Sequence, residues 1–415
     1  MSIKSYIFIA NVTAGLLAGC SLAPTNPEPA PSANGKHQHT QSNPACAEPA
    51  QASIRCSSTV TASFDSQGQL WVAWVAGLHI YVQSSADKGQ HFSQAVKVNA
   101  EPETITAHDE YRPKLKLDKH GNIYLTWTQN LGSMRSGHIR FSRSTDGGKS
   151  FSTPITLSDN LANNGHRFDV LALGQNGEVF AAWLDARDKE QAKATGQEFS
   201  GSSLYYTWSA DGGQNFAANK IIAPHSCECC RLEVVVDADN LPSILWRQVF
   251  EGGIRDHALI KFKDWNTPGE MHRVGIDNWK IDACPHHGPA LTLDNSGRYH
   301  AVWFSGAADN TGLFYAHSTD HGQTFSEPYR FTATGKHAHV LAVADQLAIV
   351  WLEFDGKRTS VQSIRSKDSG ASWSQPRQLG AVEGNADYAF LVGDGRQIYL
   401  SWQTAAGYQF SALTD

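Results

Sequence analysis

The chain has 415 residues, a formal net charge of −6, and only 18% charged residues. That length suits one large repetitive core or two ordinary domains. The mild negative charge and the lack of a basic cluster argue against nucleic acid as a partner.

The N-terminus is predicted to be a signal peptide, residues 1–19. Lys4 precedes an apolar run, which ends in Leu17-Ala18-Gly19-Cys20. The run is too short to span a bilayer and is excluded from the fold. The four residues resemble a bacterial lipobox, and the resemblance implies cleavage before Cys20 and acylation of its thiol. An ordinary secretory signal with a chance cysteine is the alternative.

Anchoring at Cys20 would place the protein in the bacterial cell envelope, held to a membrane by its N-terminal lipid. Ser21 follows the cysteine where some lipoproteins carry Asp. In a Gram-negative cell the resemblance then implies the outer membrane, facing the periplasm or the cell surface. Residues 20–54 are rich in Pro, Ala and Ser, which is typical of a flexible tether.

The pattern Ser-x-Asp-x-Gly-x-x-aromatic occurs five times after the tether, at residues 85–92, 144–151, 209–216, 318–325 and 366–373. Asp-x-Gly is turn chemistry, because Asp caps backbone N–H groups and Gly adopts positive φ. The pattern resembles the Asp-box, or BNR repeat, of the sialidase (neuraminidase) superfamily. This resemblance implies a β-propeller in which each box joins the outer two strands of a blade, on the rim away from the active site.

Seven predicted strands end in tryptophan, at positions 74, 127, 183, 246, 303, 351 and 402. Their spacing of about fifty to sixty residues fits four-stranded blades. We therefore predict an all-β fold over residues 55–415, a sialidase-like propeller of seven four-stranded blades. Sialidases have six blades, so six with an irregular extra element is the alternative. The seventh unit would need an outer strand from residues just before Cys56.

The segments that enter the first strand of each blade are expected to meet at one mouth of the central channel. Every such segment offers polar or metal-competent side chains, which a purely structural propeller does not need. They are Arg55-Cys56, Tyr111-Arg112, His166-Arg167, Cys229-Cys230-Arg231, Cys284-Pro285-His286-His287, His337-Ala338-His339 and Asp387-Tyr388. This convergence predicts a binding site for a small ligand, a metal or a glycan at the mouth.

The leading interpretation is a soft transition-metal site, because thiolate and imidazole suit copper or zinc. The candidate ligands come from three consecutive units: Cys229, Cys230, Cys284, His286, His287, His337 and His339, with Cys227 beside them. In His337-x-His339 an extended backbone would place both imidazoles on one face.

Disulfides are the open alternative for these cysteines. With Cys20 lipidated, an even number remains outside the cytoplasm, which favours bridging. Cys46–Cys56 would tie the tether to the first blade, and a bridge such as Cys227–Cys284 could leave two thiolates for a metal.

The second functional interpretation is an exo-sialidase or related glycoside hydrolase. Such an enzyme needs arginines for a substrate carboxylate and an activated Tyr nucleophile. Tyr111-Arg112-Pro113 is similar to the family's aromatic-Arg-Ile-Pro motif without its Ile. The resemblance assigns carboxylate binding to Arg112 and Arg247 and the nucleophile to Tyr388. Histidines stand where a third Arg is expected, and Glu233 is a possible activating carboxylate.

Further charged residues are expected at the same mouth: Arg167, Arg231, Asp185, Arg187 and Arg255. We expect the last three to position neighbouring groups and Asp188 and Lys189 to be solvated loop charges. A scaffold or glycan-binding module without catalysis is the third functional class.

Overall fold

The computed structural model describes residues 53–108, 110–133, 136–283, 285–384 and 386–414. The predicted signal peptide, most of the predicted tether, Cys20, Cys46 and Cys284 lie outside the described residues. None of the helices within the described ranges is long and apolar enough to cross a membrane.

The described chain forms antiparallel sheets in sequence order. Blade 1 contains β1 (Val60–Phe64), β2 (Leu70–Ala76), β3 (His79–Ser85) and β4 (Val96–Lys97). Blade 2 contains β5 (Lys114–Leu117), β6 (Ile123–Asn130), β7 (Gly137–Ser144) and β8 (Ile155–Thr156). Blade 3 contains β9 (His166–Leu173), β10 (Val179–Asp185), β11 (Ser202–Ser209) and β12 (Lys220–Ser226). Blade 4 contains β13 (Glu233–Val236), β14 (Pro242–Phe250), β15 (Ile254–Asp264) and β16 (Thr267–Val274).

The remaining blades follow the same plan. Blade 5 contains β17 (Ala290–Leu293), β18 (Tyr299–Ser305), β19 (Gly312–Ser318) and β20 (Tyr329–Thr332). Blade 6 contains β21 (Lys336–Val343), β22 (Gln346–Phe354), β23 (Arg358–Ser366) and β24 (Arg377–Glu383). Blade 7 contains β25 (Phe390–Gly393), β26 (Ile398–Thr404) and β27 (Gly407–Ala412). A single pairing, Ser226 with Gln248, joins the sheets of blades 3 and 4.

The blades close into a ring through their first strands. Each of β1, β5, β9, β13, β17, β21 and β25 contacts the next, and β25 contacts β1. The predicted all-β propeller of seven blades is therefore confirmed, and its first strands surround a central channel.

The seventh blade differs from its expected four strands. Residues Ile54–Cys56 form a 3₁₀ turn against β27 and not an outer strand. Aromatic packing joins blade 7 to blade 1 instead: the Phe64 ring lies 5.2 Å from that of Tyr399 and 5.9 Å from that of Phe410. The Lys88 ammonium also pairs with Asp394 at 2.7 Å. Side-chain burial thus takes the place of strand pairing at the closure.

The seven predicted tryptophans form the repeated core, each at most 1% exposed. Each lies on the second strand of its blade, and each indole N–H donates a hydrogen bond. The acceptors are Gln83, Glu103, Asp185, Gln248, Asp277, Glu353 and the main-chain oxygen of Asp387, at 2.8–3.1 Å. Burial of an indole stabilises the fold fully only when its N–H group has a hydrogen-bond acceptor, because an unpaired buried N–H costs free energy.

The five repeated octapeptides share one hydrogen-bonding plan. Each begins at the last residue of a third strand, as predicted. In the copy at 209–216, Ser209 Oγ donates to Asp211 Oδ1 at 2.7 Å and accepts from Gly213 N at 2.9 Å. Asp211 Oδ1 also accepts from Asn215 N at 2.9 Å. The Asp thus caps the turn that leads toward the fourth strand.

The glycine of this turn also fixes the distance between neighbouring blades. Gly213 has φ +75°, and a Cβ there would lie 2.5 Å from Phe141 Cζ in blade 2. Glycine is therefore required both by the left-handed backbone and by close approach. Gly68 has a similar φ of +80° but no heavy atom within 4 Å of a Cβ position.

The pair Gly213→Ala and Gly68→Ala separates these two effects. We expect Gly68→Ala to lower the free energy of unfolding by about 1 kcal/mol, the cost of positive φ alone. Gly213→Ala should lose about 2–4 kcal/mol, because overpacking against Phe141 is added. Urea unfolding followed by tryptophan fluorescence measures both, and equal losses would show that blade contact contributes nothing at this turn.

Candidate functional site

Three cysteines cluster where the chain leaves β12 and enters β13. Cys227, Cys229 and Cys230 are buried, and their sulfur atoms all lie within 4.8 Å of one another. The Cys227 sulfur lies 3.7 Å from each of the other two. Sulfurs bound at about 2.3 Å to one tetrahedral ion lie about 3.8 Å apart, so this spacing matches shared metal ligation.

The cysteines are not joined as the bridging alternative requires. No disulfide links any two of Cys227, Cys229 and Cys230, and Cys227 is a thiol, so the Cys227–Cys284 bridge is absent. Cys56 is disulfide-bonded. Its predicted partner, Cys46, lies outside the described residues.

The cluster is held by the neighbouring strand β14 and by a cation. Cys227 N donates to the main-chain oxygen of Arg247 at 2.8 Å, and Val249 packs against the three side chains. Arg255 Nη1 donates to the Cys227 sulfur at 3.3 Å. Arg255 thus lies beside the sulfur cluster, as a positioning residue would.

Hydrogen bonding divides the protons unequally among the thiols. Hydrogen bonds from Cys229 and Cys230, helped by the charges of Arg247 and Arg255, hold the pKa of Cys227 well below its usual range. Burial, with the neighbouring Cys227 sulfur, raises the pKa of Cys230. Cys227 therefore has more thiolate character than Cys230, and a thiolate is the form that binds metal.

The predicted histidines are not joined to the sulfurs or to one another as a single set. His337 has φ +54°, so the extended backbone expected for His337-x-His339 was wrong. No ring nitrogen of His286, His287, His337 or His339 lies within 4.8 Å of all three sulfurs. The His287 ring lies 4.6 Å from that of His337, which stacks at 3.6 Å on Tyr388. His339 Nδ1 accepts from Leu391 N at 3.3 Å, and His286 is exposed. Burial lowers the pKa of His339 to about 3, so its imidazole is neutral at pH 7.

A buried carboxylate that the sequence analysis did not identify links the entry segments. Glu110 Oε2 accepts from Arg231 N at 2.9 Å, and its Oε1 accepts from Gly288 N at 3.1 Å. The same oxygen lies 3.5 Å from Arg231 Nη1 and 3.9 Å from His337 Nδ1. Glu110 directly precedes Tyr111-Arg112. That position beside a predicted mouth segment was the only feature of the sequence that could have identified it.

Arg231 extends this network across the mouth. Its Nε donates to the oxygen of Pro289 at 3.0 Å, and its Nη2 donates to that of Ala338 at 2.7 Å. A Cβ on Gly288 would overlap the Arg231 side chain, so glycine is needed at that position. Arg231 therefore ties together segments of blades 2, 4, 5 and 6.

The proposed glycosidase residues are only partly brought together. Arg112 Nη2 donates to Asp387 Oδ1 at 2.8 Å and lies 3.4 Å from the oxygen of Tyr388. Arg247 is elsewhere: its guanidinium donates to main-chain oxygens of Arg255, His287 and Phe304 at 2.8–3.0 Å. Arg247 is 1% exposed, so its N–H groups face the protein and not a ligand.

The remaining mouth residues also have defined partners. Arg167 Nη2 donates to the oxygen of Glu228 at 2.9 Å, and its Nη1 lies 3.4 Å from the Tyr111 hydroxyl. Burial raises the pKa of Tyr111 to about 12. The channel also contains Glu233, at the start of β13, where burial raises the pKa of the carboxyl. The Glu233 side chain is half-buried.

The insertion after β10 is structured and not merely solvated. Arg187 Nη2 donates to the fully buried Asp185 at 2.8 Å, and Arg187–Ala194 forms the helix α1. Asp188 accepts from the hydroxyl of Tyr205 at 3.2 Å, and Lys189 pairs with Glu228 at 2.7 Å. The expectation of solvated charges at Asp188 and Lys189 was wrong, because α1 folds them back onto the blade.

A second cluster of potential metal ligands is already neutralised. Asp237, Asp239 and His321 lie together near the β13–β14 turn. Lys261 Nζ lies 2.5 Å from Asp237 and 2.6 Å from Asp239. This ammonium takes the place that a cation would occupy.

Comparison with solved structures shows the fold alone. Hadza microbial sialidase Hz136 superposes with a TM-score of 0.51 and 16% identity, covering 83% of this chain and 76% of that chain. A PL25 ulvan lyase gives a TM-score of 0.53 and 11% identity, covering 87% and 92%. A protein of unknown function from Dyadobacter fermentans gives 0.51 and 14%, covering 76% and 96%. No protein-family model and no curated protein matches the chain.

The substitution Glu110→Gln tests the central network. Burial alone would raise the pKa of Glu110, but His337 and the charge of Arg231 lower it below its ordinary value of 4.5. A carboxyl with a depressed folded pKa stabilises the fold above the unfolded pKa and loses that contribution as pH falls through the folded pKa. We therefore expect Glu110→Gln to cost about 3 kcal/mol at pH 7, with the difference from wild type shrinking below pH 4.5.

Denaturant unfolding at several pH values measures this difference. Glu327→Gln, at an exposed position, is the matched control and should be neutral. A loss for Glu110→Gln that is independent of pH would show that the carboxylate charge does not stabilise the mouth.

Proposed function

We propose that this chain is an envelope-anchored propeller lipoprotein that binds a soft transition metal, copper or zinc, through Cys227, Cys229 and Cys230. The observation that carries the proposal is the spacing of the three buried sulfurs. Three thiolates with an open fourth position suit zinc, and a thiolate-rich site without carboxylate ligands suits Cu(I). Anchoring through Cys20 would hold this site outside the cytoplasm.

The buried position of the sulfurs favours metal binding over thiol exchange. Cys227 is 1% exposed, so a protein disulfide could not reach it for in-line attack. Cys284 belongs to the proposed ligand set from the sequence. His287 and His337 would then form a separate pair beside Tyr388.

A glycoside hydrolase is the second candidate. The observation in its favour is that Arg112, Asp387 and Tyr388 adjoin one another at the channel mouth of a sialidase-like fold. Against it, Arg247 is committed to main-chain oxygens, and an arginine committed in this way does not bind a substrate carboxylate. A non-catalytic scaffold or glycan-binding module is the third class, and the tether is its support.

Metal analysis of the purified protein tests the leading proposal. We expect about one equivalent of copper or zinc, with thiols that react only after chelation. Cys227→Ser and Cys230→Ser should each weaken the affinity by about 100-fold or more, measured by competition with a chromophoric chelator, since each removes a ligand. The control is Asp239→Asn, in the cluster filled by Lys261, which should leave metal content unchanged. Wild-type protein without metal affinity would refute the proposal.

The substitution Tyr388→Phe separates the two candidates. The Tyr388 side chain packs on His337 and is not one of the three sulfur ligands. We expect the variant to retain the full metal content of the wild type. Hydrolysis of a sialoside by the wild type that disappears in Tyr388→Phe would instead establish the glycosidase candidate.

A further inference from the structure

A cavity of about 510 Å³ lies against the cysteine cluster. Two of its lining residues contact the cysteines directly: Val249 packs on them, and Arg255 donates to the Cys227 sulfur. A third, Glu228, stands between Cys227 and Cys229 in the chain. None of the three cysteines lines the cavity, so Val249 and Arg255 stand between its space and the buried sulfurs. Its volume is that of a small-molecule site.

Basic side chains outnumber acidic ones by one in the wall of this cavity. Lys189, Arg255 and Lys280 line it, together with the acidic Glu228 and Asp282. Glu228 is engaged by Lys189 at 2.7 Å, and the exposed Lys280 extends its ammonium toward Gly252. Asp282 is exposed. The guanidinium of Arg255 therefore stands at the inner end of the cavity, on the sulfur that a metal would bind.

This position of Arg255 makes the approach of a bare metal cation unfavourable. The ion and the guanidinium would compete for the same sulfur, and like charges a few ångströms apart repel in a partly buried site. A metal bound in an anionic complex meets no such barrier. The carrier brings a carboxylate, which can accept hydrogen bonds from the Arg255 guanidinium when the metal binds the Cys227 sulfur.

We propose that the cavity docks a small anionic thiolate–carboxylate complex of Cu(I), and that Arg255 moves from the Cys227 sulfur to the carrier's carboxylate as the metal is transferred. This inference rests on the proposed metal function. In the transfer, bonds from copper to the carrier's sulfur break as bonds to the cysteine sulfurs form. The Cys227 thiolate enters without losing a proton, and each further cysteine that enters as a thiol gives its proton to a departing carrier thiolate. Copper stays in the +1 state and no electron moves.

The test compares two sources of Cu(I) of opposite charge, the glutathione complex and the acetonitrile complex. Stopped-flow absorbance of the copper–thiolate bands follows loading of the reduced full-length protein. We expect loading from the anionic glutathione complex to slow with rising salt, as steering between opposite charges does. Lys280→Glu should slow loading from glutathione–Cu(I) about tenfold and speed loading from the acetonitrile cation.

The matched control is Lys149→Glu, an exposed lysine on the turn after β7, which should change neither rate. If Lys280→Glu changes both rates in the same direction, or neither, anionic docking is refuted. Final copper content is measured on every sample, so the two proposals fail separately. Full loading with no charge dependence overturns only the docking inference, whereas no copper from either source overturns the metal function itself.

Discussion

The structure depends on burying a tryptophan indole in every blade while satisfying its N–H. Sheet packing around a ring needs a bulky apolar side chain between blades, and the indole supplies that area. Its N–H would be costly if left unpaired. Each blade solves this problem with its own acceptor, a side chain in six blades and the main-chain oxygen of Asp387 in the seventh. The sequence repeat thus places a buried tryptophan in every blade, and the acceptor of its N–H group differs from blade to blade.

The last of these acceptors connects the core to the channel mouth. Asp387 receives the Trp402 N–H on its main-chain oxygen and the Arg112 guanidinium on its carboxylate. Arg231 and Glu110 then join four blades across the same mouth. The buried arginines thereby hold these segments together. Blade closure and the packing of the mouth draw on the same side chains.

The cysteine cluster lies apart from this central network. It is formed by three residues of one entry segment folded against β14, so it needs little help from distant blades. Arg255 on β15 supplies its nearest charge and also lines the neighbouring cavity. One mouth therefore contains two chemically distinct regions, a buried arginine–carboxylate–histidine network and a cluster of buried thiols beside one cavity.

The sequence by itself determined the all-β class, the seven blades, the buried tryptophans and the turn after each box-bearing third strand, because these follow from local patterns that repeat. It also identified Cys227, Cys229 and Cys230 as neighbours, since they are adjacent in the chain. Only the tertiary structure showed that the histidines lie apart from the sulfurs, that Glu110 links four blades, and that Arg255 reaches Cys227. Those contacts join residues far apart in the chain, whose distances are set by how the blades pack and not by any periodicity.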